Sequence, residues 1–130
     1  MKQTRKLILA LVLVMSILMT LAVAVIPASA ANTKTIFFKP DHWNTANAWF
    51  FAHSWNGSDV ADVKMTDADG DGIYQCEIPS GHSMIIFVRK NPSDTNVDWA
   101  NVWNQTADIT IPTDGKNLFT VKAGAWSGAG

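Results

Sequence analysis

The sequence predicts an all-β fold: an antiparallel β-sandwich, immunoglobulin-like, forming a single domain after a signal peptide. Three observations lead to this prediction. After residue 30, apolar residues alternate with polar ones over short runs. Turn-forming segments such as Asn56-Gly57 and 112–115 separate these runs. No window of eleven residues has the apolar spacing of an amphipathic helix, and strands without helices bury their apolar faces by packing sheet on sheet.

Seven runs satisfy the strand pattern, and each is bounded by Gly, Pro, Asn or Asp. In chain order they are TIFFK (35–39), AWFFAHSW (48–55), VADVKM (60–65), GIYQCEI (72–78), SMIIFVR (83–89), DITI (108–111) and NLFTV (117–121). The segment 91–104 fits no strand and predicts a long loop, which its length and two tryptophans indicate to be functional. The C-terminal GAWSGAG is expected to be a frayed end.

The first thirty residues have the organisation of a secretory signal peptide. A basic start, MKQTRK, precedes an apolar run of about twenty residues that ends in Ala28-Ser29-Ala30, a small-x-small cleavage pattern. An uncleaved membrane anchor is the alternative, because the apolar run is long enough to span a bilayer. Both interpretations place the domain outside the cytoplasm. We therefore expect residues 1–30 to be a signal peptide and residues 31–130 to be a secreted, extracellular domain.

The composition of residues 31–130 limits the class of partner. The whole chain has a formal net charge of −1, and the signal segment holds three basic residues and no acidic one, so the secreted part carries −4. An acidic domain is not expected to bind nucleic acid or an anionic membrane. The single cysteine, Cys76, permits no internal disulfide, so stability must come from the core. A chain of this length forms one core, and we expect a monomer.

The segment DADGDG places Asp67, Asp69 and Asp71 at alternating positions before Gly72, as at the start of an EF-hand calcium loop. An EF-hand closes on a bidentate carboxylate at position twelve, where this chain has Ile78. The Asp-Gly pairs instead indicate a tight hairpin between the flanking strands. We therefore expect a turn, with no metal and no other cofactor. Opportunistic calcium binding at the exposed aspartates is the alternative.

Tryptophan is several times more frequent than usual and is clustered. The chain has six tryptophans, concentrated in WNTANAWFFAHSW (43–55) and DWANVW (98–103). The core of a sandwich this small accommodates one or two of them. Several indoles are therefore expected at the surface, where an exposed aromatic patch indicates a binding site.

The alternation along 48–55 gives this strand two partly apolar faces, of which only one can pack on the core. One face carries Trp49, Phe51, His53 and Trp55, and the other carries Ala48, Phe50, Ala52 and Ser54. Carbohydrate suits an exposed aromatic strip, because the C–H faces of a pyranose stack on rings while polar neighbours bind its hydroxyls. Asn104 and Gln105, directly after Trp103, supply polar groups of this kind.

These segments resemble the starch-binding carbohydrate-binding modules of family 26. The resemblance covers nearly all of the chain after the signal and rests on segments in the family's order: TIFFKPDHW, NAWFFAHSWNG, VKMTDADGDGIYQCEIPSG, IIFVRKNP and WNQTADITIPTDGKNLFTV. Members are secreted β-sandwich domains, usually attached to amylases or to starch-adherence proteins. The resemblance implies a polysaccharide-binding module for starch and maltooligosaccharides, with an amylase or adherence complex as a further partner. It also implies a turn, not a metal loop, at DADGDG.

The resemblance also implies positions for the binding residues. The family's stacking aromatic, often a tyrosine, falls at His53, with Trp55 beside it. The family's NQT segment falls on Asn104, Gln105 and Thr106. These side chains are expected to contact the sugar.

A second aromatic of the family, a tryptophan that often precedes the VxMTD segment, is replaced here by Ala61 and Asp62. Another ring must then supply the second stacking surface. The candidates are Trp103, Trp99 and Trp43, and Trp103 is the one adjacent to the polar pair.

Catalysis is not expected from this sequence. Glycoside hydrolysis needs two carboxyl groups facing each other across a cleft, and the chain has a single glutamate, Glu77. No serine near a histidine lies in a nucleophile-elbow pattern, and the three histidines lack the spacing of metal ligands. The predicted function is therefore non-enzymatic. The alternative to glucan binding is an extracellular adhesion or assembly module whose aromatic strip binds another protein.

Overall fold

The computed structural model describes residues 32–129, which form nine strands and one short 3-10 helix, Asp41–Trp43. The strands are β1 (Thr33–Lys39), β2 (Trp49–Asn56), β3 (Asp59–Lys64), β4 (Tyr74–Pro79), β5 (Met84–Lys90), β6 (Val102–Gln105), β7 (Ile109–Thr110), β8 (Leu118–Thr120) and β9 (Ala125–Ser127). The predicted signal peptide lies outside the described residues. Within them, no helix has the length and apolar character needed to cross a membrane.

The strands form two sheets packed against each other, which confirms the predicted all-β sandwich. The first sheet has the strand order β4-β1-β8-β9. In the second sheet β3, β2, β5 and β6 follow one another, and β7 pairs with the N-terminal end of β5. The named strand pairs are antiparallel except for β1 and β8, which run parallel. The chain thus departs from a fully antiparallel sandwich where its first strand meets a late one.

The sequence pattern does not predict two of the strands, β6 and β9. Strand β6 begins inside the predicted loop 91–104, and β9 lies in the predicted frayed end. Each forms against the strand that precedes it in the chain, β6 on β5 and β9 on β8. In β9, Trp126 also packs edge-on against Phe119 of the core, with ring centroids 5.4 Å apart. Pairing with the preceding strand, and for β9 packing on the core, overrides the weak local signal of both segments.

The predicted hairpin at DADGDG is wrong as a strand pairing, because β3 and β4 belong to different sheets. A single antiparallel bridge between Thr66 and Gln75 closes the base of this loop, through backbone hydrogen bonds of 3.0 and 2.8 Å. Beyond the bridge, the two strands separate into the two layers of the sandwich. The turn itself is present, since Asp67 accepts hydrogen bonds from three backbone N–H groups of the loop.

Aromatic and aliphatic side chains from both sheets fill the space between them. Phe38 of β1 stacks on Phe87 of β5 with ring centroids 4.3 Å apart, and Phe50 of β2 meets Phe38 edge-on at 5.5 Å. Cys76 lies in this core as predicted, and burial, assisted by the charge of Glu77, raises the pKa of its thiol to about 12. The buried core residues are Ile36, Phe38, Ala48, Phe50, Ala52, Met65, Cys76, Ile78, Ile85, Phe87, Ile111 and Phe119.

Candidate functional site

Strand β2 divides the core from a second, outward-facing apolar surface, as its alternation predicts. Phe50 and Ala52 belong to the core between the sheets. Phe51 points to the opposite side, where it forms a separate buried cluster with Ile86 and Val88 of β5. The partly buried side chains around this outer cluster are Trp49, Trp55, Val97 and Val102. The outer face of the five-stranded sheet is therefore apolar and needs a cover.

The loop 91–101, between β5 and β6, covers part of this outer face. Its Val97 packs on the outer cluster. The indole Nε1–H of Trp49 donates a hydrogen bond of 2.7 Å to the backbone oxygen of Asp94, which links the loop to the first residue of β2. The loop covers the sheet around Phe51 but leaves His53 and Trp55 partly exposed. This uncovered part is the candidate site.

His53, Trp55 and Trp99 form one aromatic cluster at the edge of the loop. The His53 ring lies 5.2 Å from the Trp55 ring at 41°, and 5.1 Å from the Trp99 ring at 73°. Trp99 also meets buried Phe51 edge-on at 5.7 Å, so it rests on the outer cluster while 44% of its surface stays exposed. The three rings offer a bent aromatic surface to solvent, with rings at an angle suited to a non-planar ligand.

A carboxylate from the neighbouring strand orients the ring of His53. Asp62 of β3 lies directly opposite His53, and its Oδ1 is 2.6 Å from the histidine Nδ1. An ionised carboxylate only accepts hydrogen bonds, so Nδ1–H is the donor. In the neutral ring Nε2 is then the acceptor, and it makes no hydrogen bond with residues 32–129. The arrangement leaves a polar atom for a ligand hydroxyl.

The loop is anchored by a lysine that is fully buried beneath it. Lys90, the last residue of β5, lies opposite Trp49, and its Nζ is 5.7 Å from the Trp49 ring. The ammonium donates hydrogen bonds of 3.0 Å to Asp94 Oδ2, 2.9 Å to Asp98 Oδ1 and 3.0 Å to the Asp98 backbone oxygen. The backbone oxygen of Ala100 is a fourth acceptor, so the three N–H groups are shared among four oxygens. One side chain thereby fixes three positions along the loop.

The two aspartates compensate the buried charge. Burial alone lowers the pKa of Lys90, but hydrogen bonds to Asp98 and Asp94, together with their negative charges, outweigh it and raise this pKa overall. The pKa of Asp94 falls to about 2, chiefly through the hydrogen bond from Asn101 and also through those from Asn96 and Lys90. Lys90 and Asp94 therefore both remain charged at neutral pH, and the loop keeps its anchor.

Trp103, which the sequence placed next to the polar pair, points to a different part of the surface. A β-bulge in β6 pairs Asn104 with Arg89 but Val102 with Lys90, so Trp103 is the extra residue. Its indole lies over the guanidinium of Arg89, 4.7 Å from Arg89 Cζ to the ring centroid, and is 41% exposed. No ring contact within residues 32–129 joins Trp103 to the aromatic cluster.

The two polar residues after Trp103 separate to opposite sides of β6. Gln105 pairs with Val88 of the outer cluster, so it is exposed on the outer face, two strands and about 10 Å from Phe51. Asn104 points the other way, and its Oδ1 is buried without a hydrogen-bond partner among the described residues. Gln105 is thus the member of the pair that shares a face with the aromatic cluster.

Trp43 lies away from the outer face. It belongs to the 3-10 helix and packs on the core, with its ring edge-on to Phe38 at 6.3 Å. The sandwich therefore separates the seven sequence-predicted site residues into groups. His53, Trp55, Trp99 and Gln105 share the outer face, whereas Trp103, Asn104 and Trp43 do not join them.

Two residues that shape the site were missed by the sequence reading. Asp62 was noted only as the replacement of a family aromatic, yet it orients His53. Lys90 reads as an ordinary polar strand end, although Asp94 and Asp98 follow it at intervals of four and eight residues. This repeated spacing of acids after an apolar strand was the available signal for an anchored loop.

Two further groups of polar side chains lie outside the aromatic cluster within residues 32–129. Ser54 Oγ and His82 Nδ1 are hydrogen-bonded at 2.8 Å, and His82 Nε2 lies 3.3 Å from Asp59 Oδ2 without hydrogen-bond geometry. Ser54 is fully buried, so a substrate cannot reach its hydroxyl. The other group is the acidic turn, where one oxygen from each of three aspartates lies within 4.8 Å of the others: Asp67, Asp69 and Asp71.

Comparison of the chain with protein-family models, with curated proteins and with solved structures finds no match.

Proposed function

We propose that this chain is a secreted, non-catalytic module that binds starch and related α-1,4-glucans. The observation that carries the proposal is the aromatic cluster of His53, Trp55 and Trp99, three rings within about 5 Å of their neighbours on the part of the sheet face that loop 91–101 leaves open. The resemblance of the sequence to the starch-binding modules of family 26 supports the same ligand, since His53 and Trp55 fall at its stacking positions. An amylase or a starch-adherence complex is the expected partner.

The cluster suits a glucan because stacking and hydrogen bonding are available side by side. Each ring offers an apolar face or edge to the C–H groups of a glucose unit. The Asp62 carboxylate and His53 Nε2 are acceptors for hydroxyls at the β3 side of the cluster. Gln105 supplies both a donor and an acceptor on the β6 side of the same face. An uncharged, hydroxyl-rich chain lying across the sheet would use all of these groups.

A protein-binding strip is the alternative that the experiment must separate from glucan binding. Val60, which lies opposite Trp55 on β3, is 51% exposed and extends the apolar surface toward the sheet edge. Such a patch also suits an adhesion or assembly partner. A protein-binding strip gives the protein no affinity for soluble glucan, whereas the proposed function requires it.

Affinity electrophoresis in gels containing soluble starch, dextran or no polysaccharide tests the proposal directly. Starch, and not dextran, is expected to retard the wild-type protein. Trp55→Ala and Trp99→Ala should each weaken binding by about 2 kcal/mol, the usual cost of truncating a tryptophan at a binding hot spot. Cooperative thermal melting of both variants establishes that they remain folded. Wild-type mobility that is the same in all three gels rejects the function.

Trp103→Ala is the matched control, because Trp103 and Trp99 have similar exposed fractions, 41% and 44%, but lie in different surroundings. Loss of starch retardation in Trp99→Ala alone assigns binding to the aromatic cluster. Loss in Trp103→Ala alone instead moves the glucan site to the Arg89 side of β6, as the sequence first suggested.

A further inference from the structure

The position of Trp99 depends on the backbone that carries it. Its indole contacts Phe51 and His53 through edge-on packing and makes no hydrogen bond with any residue in 32–129. Nearly half of its surface, 44%, faces solvent. Packing on one side of the ring does not by itself fix a half-exposed side chain of a loop. The orientation of the ring must therefore be set by the residues on either side of it.

These flanking residues are both held by Lys90. The Lys90 side chain is fully buried, so a ligand cannot reach its ammonium group. The ammonium donates hydrogen bonds to the backbone oxygens of Asp98 and Ala100, the two neighbours of Trp99. A third bond, to Asp98 Oδ1 at 2.9 Å, is supported by the Ala100 N–H, which donates to the same oxygen at 3.0 Å. The two peptide groups beside Trp99 are thus closed into a ring of hydrogen bonds around one nitrogen.

We propose that Lys90 is a positioning residue for the glucan site, holding Trp99 in a preformed orientation beside His53 and so raising glucan affinity without touching the ligand. The inference rests on the proposed function. Its physical basis is preorganisation: a loop that is already ordered loses little conformational freedom on binding, whereas a free loop must be ordered at the expense of affinity. A whole buried ion pair contributes little net stability compared with apolar residues in place of both partners, so conformational definition is the better account of a buried lysine here.

Isothermal titration of the folded secreted chain with maltoheptaose measures the effect. Trp99→Ala is expected to weaken binding about 30-fold and Lys90→Met about tenfold. Asp98→Ala is expected to weaken binding three- to fivefold and keeps the fold more safely, because the Asp98 side chain is 50% exposed. Ser54→Ala is the matched control: it removes a buried hydrogen bond to His82 on the core side of β2 and should leave affinity within twofold of wild type.

The double variant Lys90→Met/Trp99→Ala distinguishes positioning from a general structural role. If Lys90 acts through Trp99, the double variant binds within about twofold of Trp99→Ala alone, because the loss has already occurred. A double variant that loses a further tenfold overturns the inference. So does wild-type affinity in both Lys90→Met and Asp98→Ala while Trp99→Ala is weakened, an outcome that leaves the proposed function standing. Absence of any heat with wild-type protein rejects the function itself and the inference with it.

Discussion

Two aspartate-rich loops of this protein are held in place by different means. In loop 66–73 the carboxylates accept hydrogen bonds from backbone groups of the same loop, with Asp67 serving Gly70, Asp71 and Gly72 at 2.9 to 3.2 Å. In loop 91–101 the carboxylates of Asp94 and Asp98 also accept backbone N–H groups of their own loop, but in addition they bind a lysine at the end of the adjoining strand. The first loop is closed on itself, and the second is fastened to the sheet.

The difference decides what each loop can do. A self-closed turn keeps its shape independently of contacts with the rest of the sandwich. Gly70 and Gly72 supply the positive φ angles, 73° and 84°, that such a turn requires. A loop fastened through a buried cation instead holds Trp49 and Trp99 against the sheet face. Closely spaced aspartates thus form a local turn when they bind only N–H groups of their own loop. They help to hold a loop on the sheet when they also bind a cation of a neighbouring strand.

The largest effect is expected from removing the buried cation. Lys90→Met should lower the free energy of unfolding by about 3 kcal/mol, because the buried Asp94 carboxylate loses the charge that compensates it. Chemical denaturation measures the loss. Lys64→Met is the matched control, since Lys64 also lies over the Trp49 ring, at 4.8 Å, but is exposed. It should change stability by no more than about 0.5 kcal/mol, and equal losses in the two variants would contradict the assigned role of the anchor.

Acid should destabilise the anchored loop over a defined pH range. The pKa of Asp94 is about 2 in the folded protein and 3.8 ordinarily, so on acidification the unfolded chain takes up the proton first. The stabilisation is complete above about pH 4 and is lost as the pH falls from about 4 to 2. Thermal melting at pH 5, 4, 3 and 2 should show a steeper decline for wild type than for Asp94→Asn. Parallel curves for the two proteins would show that Asp94 is not the titrating group.

The fold follows from sequence wherever the signal is local. Alternation along β2 correctly separates Phe50 and Ala52 of the core from Phe51 of the outer cluster. Strands β6 and β9 are not predicted because each is short, four and three residues, and their own residues give only a weak strand pattern that pairing with β5 and β8 reinforces. The predicted hairpin between β3 and β4 is wrong because an Asp-Gly turn specifies a reversal of the chain, but not whether the two flanking strands stay in one sheet.

The site is predictable to a similar extent. His53 and Trp55 follow from β2 parity, and their 5.2 Å ring separation agrees with a shared face. The bulge that turns Trp103 toward Arg89 has no signature in the sequence, since it depends on the register between β5 and β6. The anchoring of the Trp99 loop on Lys90 is made by contacts four to ten residues along the chain, which the alternation of strand residues does not encode.

A smaller effect is expected in the self-closed loop. Asp67→Ala removes the acceptor of three backbone N–H groups and should cost about 1 kcal/mol, as loss of a helix cap does, because water replaces part of the bonding. The melting temperature should fall by about 5 °C, while affinity for soluble starch stays at the wild-type value. Asp67→Asn retains one acceptor oxygen, so its melting temperature should lie between those of the wild type and Asp67→Ala. Weakened starch binding in Asp67→Ala would show that the two loops are coupled, contrary to the comparison.

The smallest effect is expected from calcium. Both carboxylate oxygens of Asp67 already accept backbone hydrogen bonds, so this loop carries its own donors and needs no cation to close. The adjacent oxygens of Asp69 and Asp71 still permit a weak, exposed site. With a dissociation constant near 1 mM, such a site would add about 0.4 kcal/mol in 1 mM calcium, or about 2 °C in melting temperature. Thermal melts in calcium and in chelator should therefore differ by no more than about 2 °C, and Asp69→Asn should abolish even that difference. A difference above about 5 °C, roughly 1 kcal/mol, would make an ion a structural part of the turn.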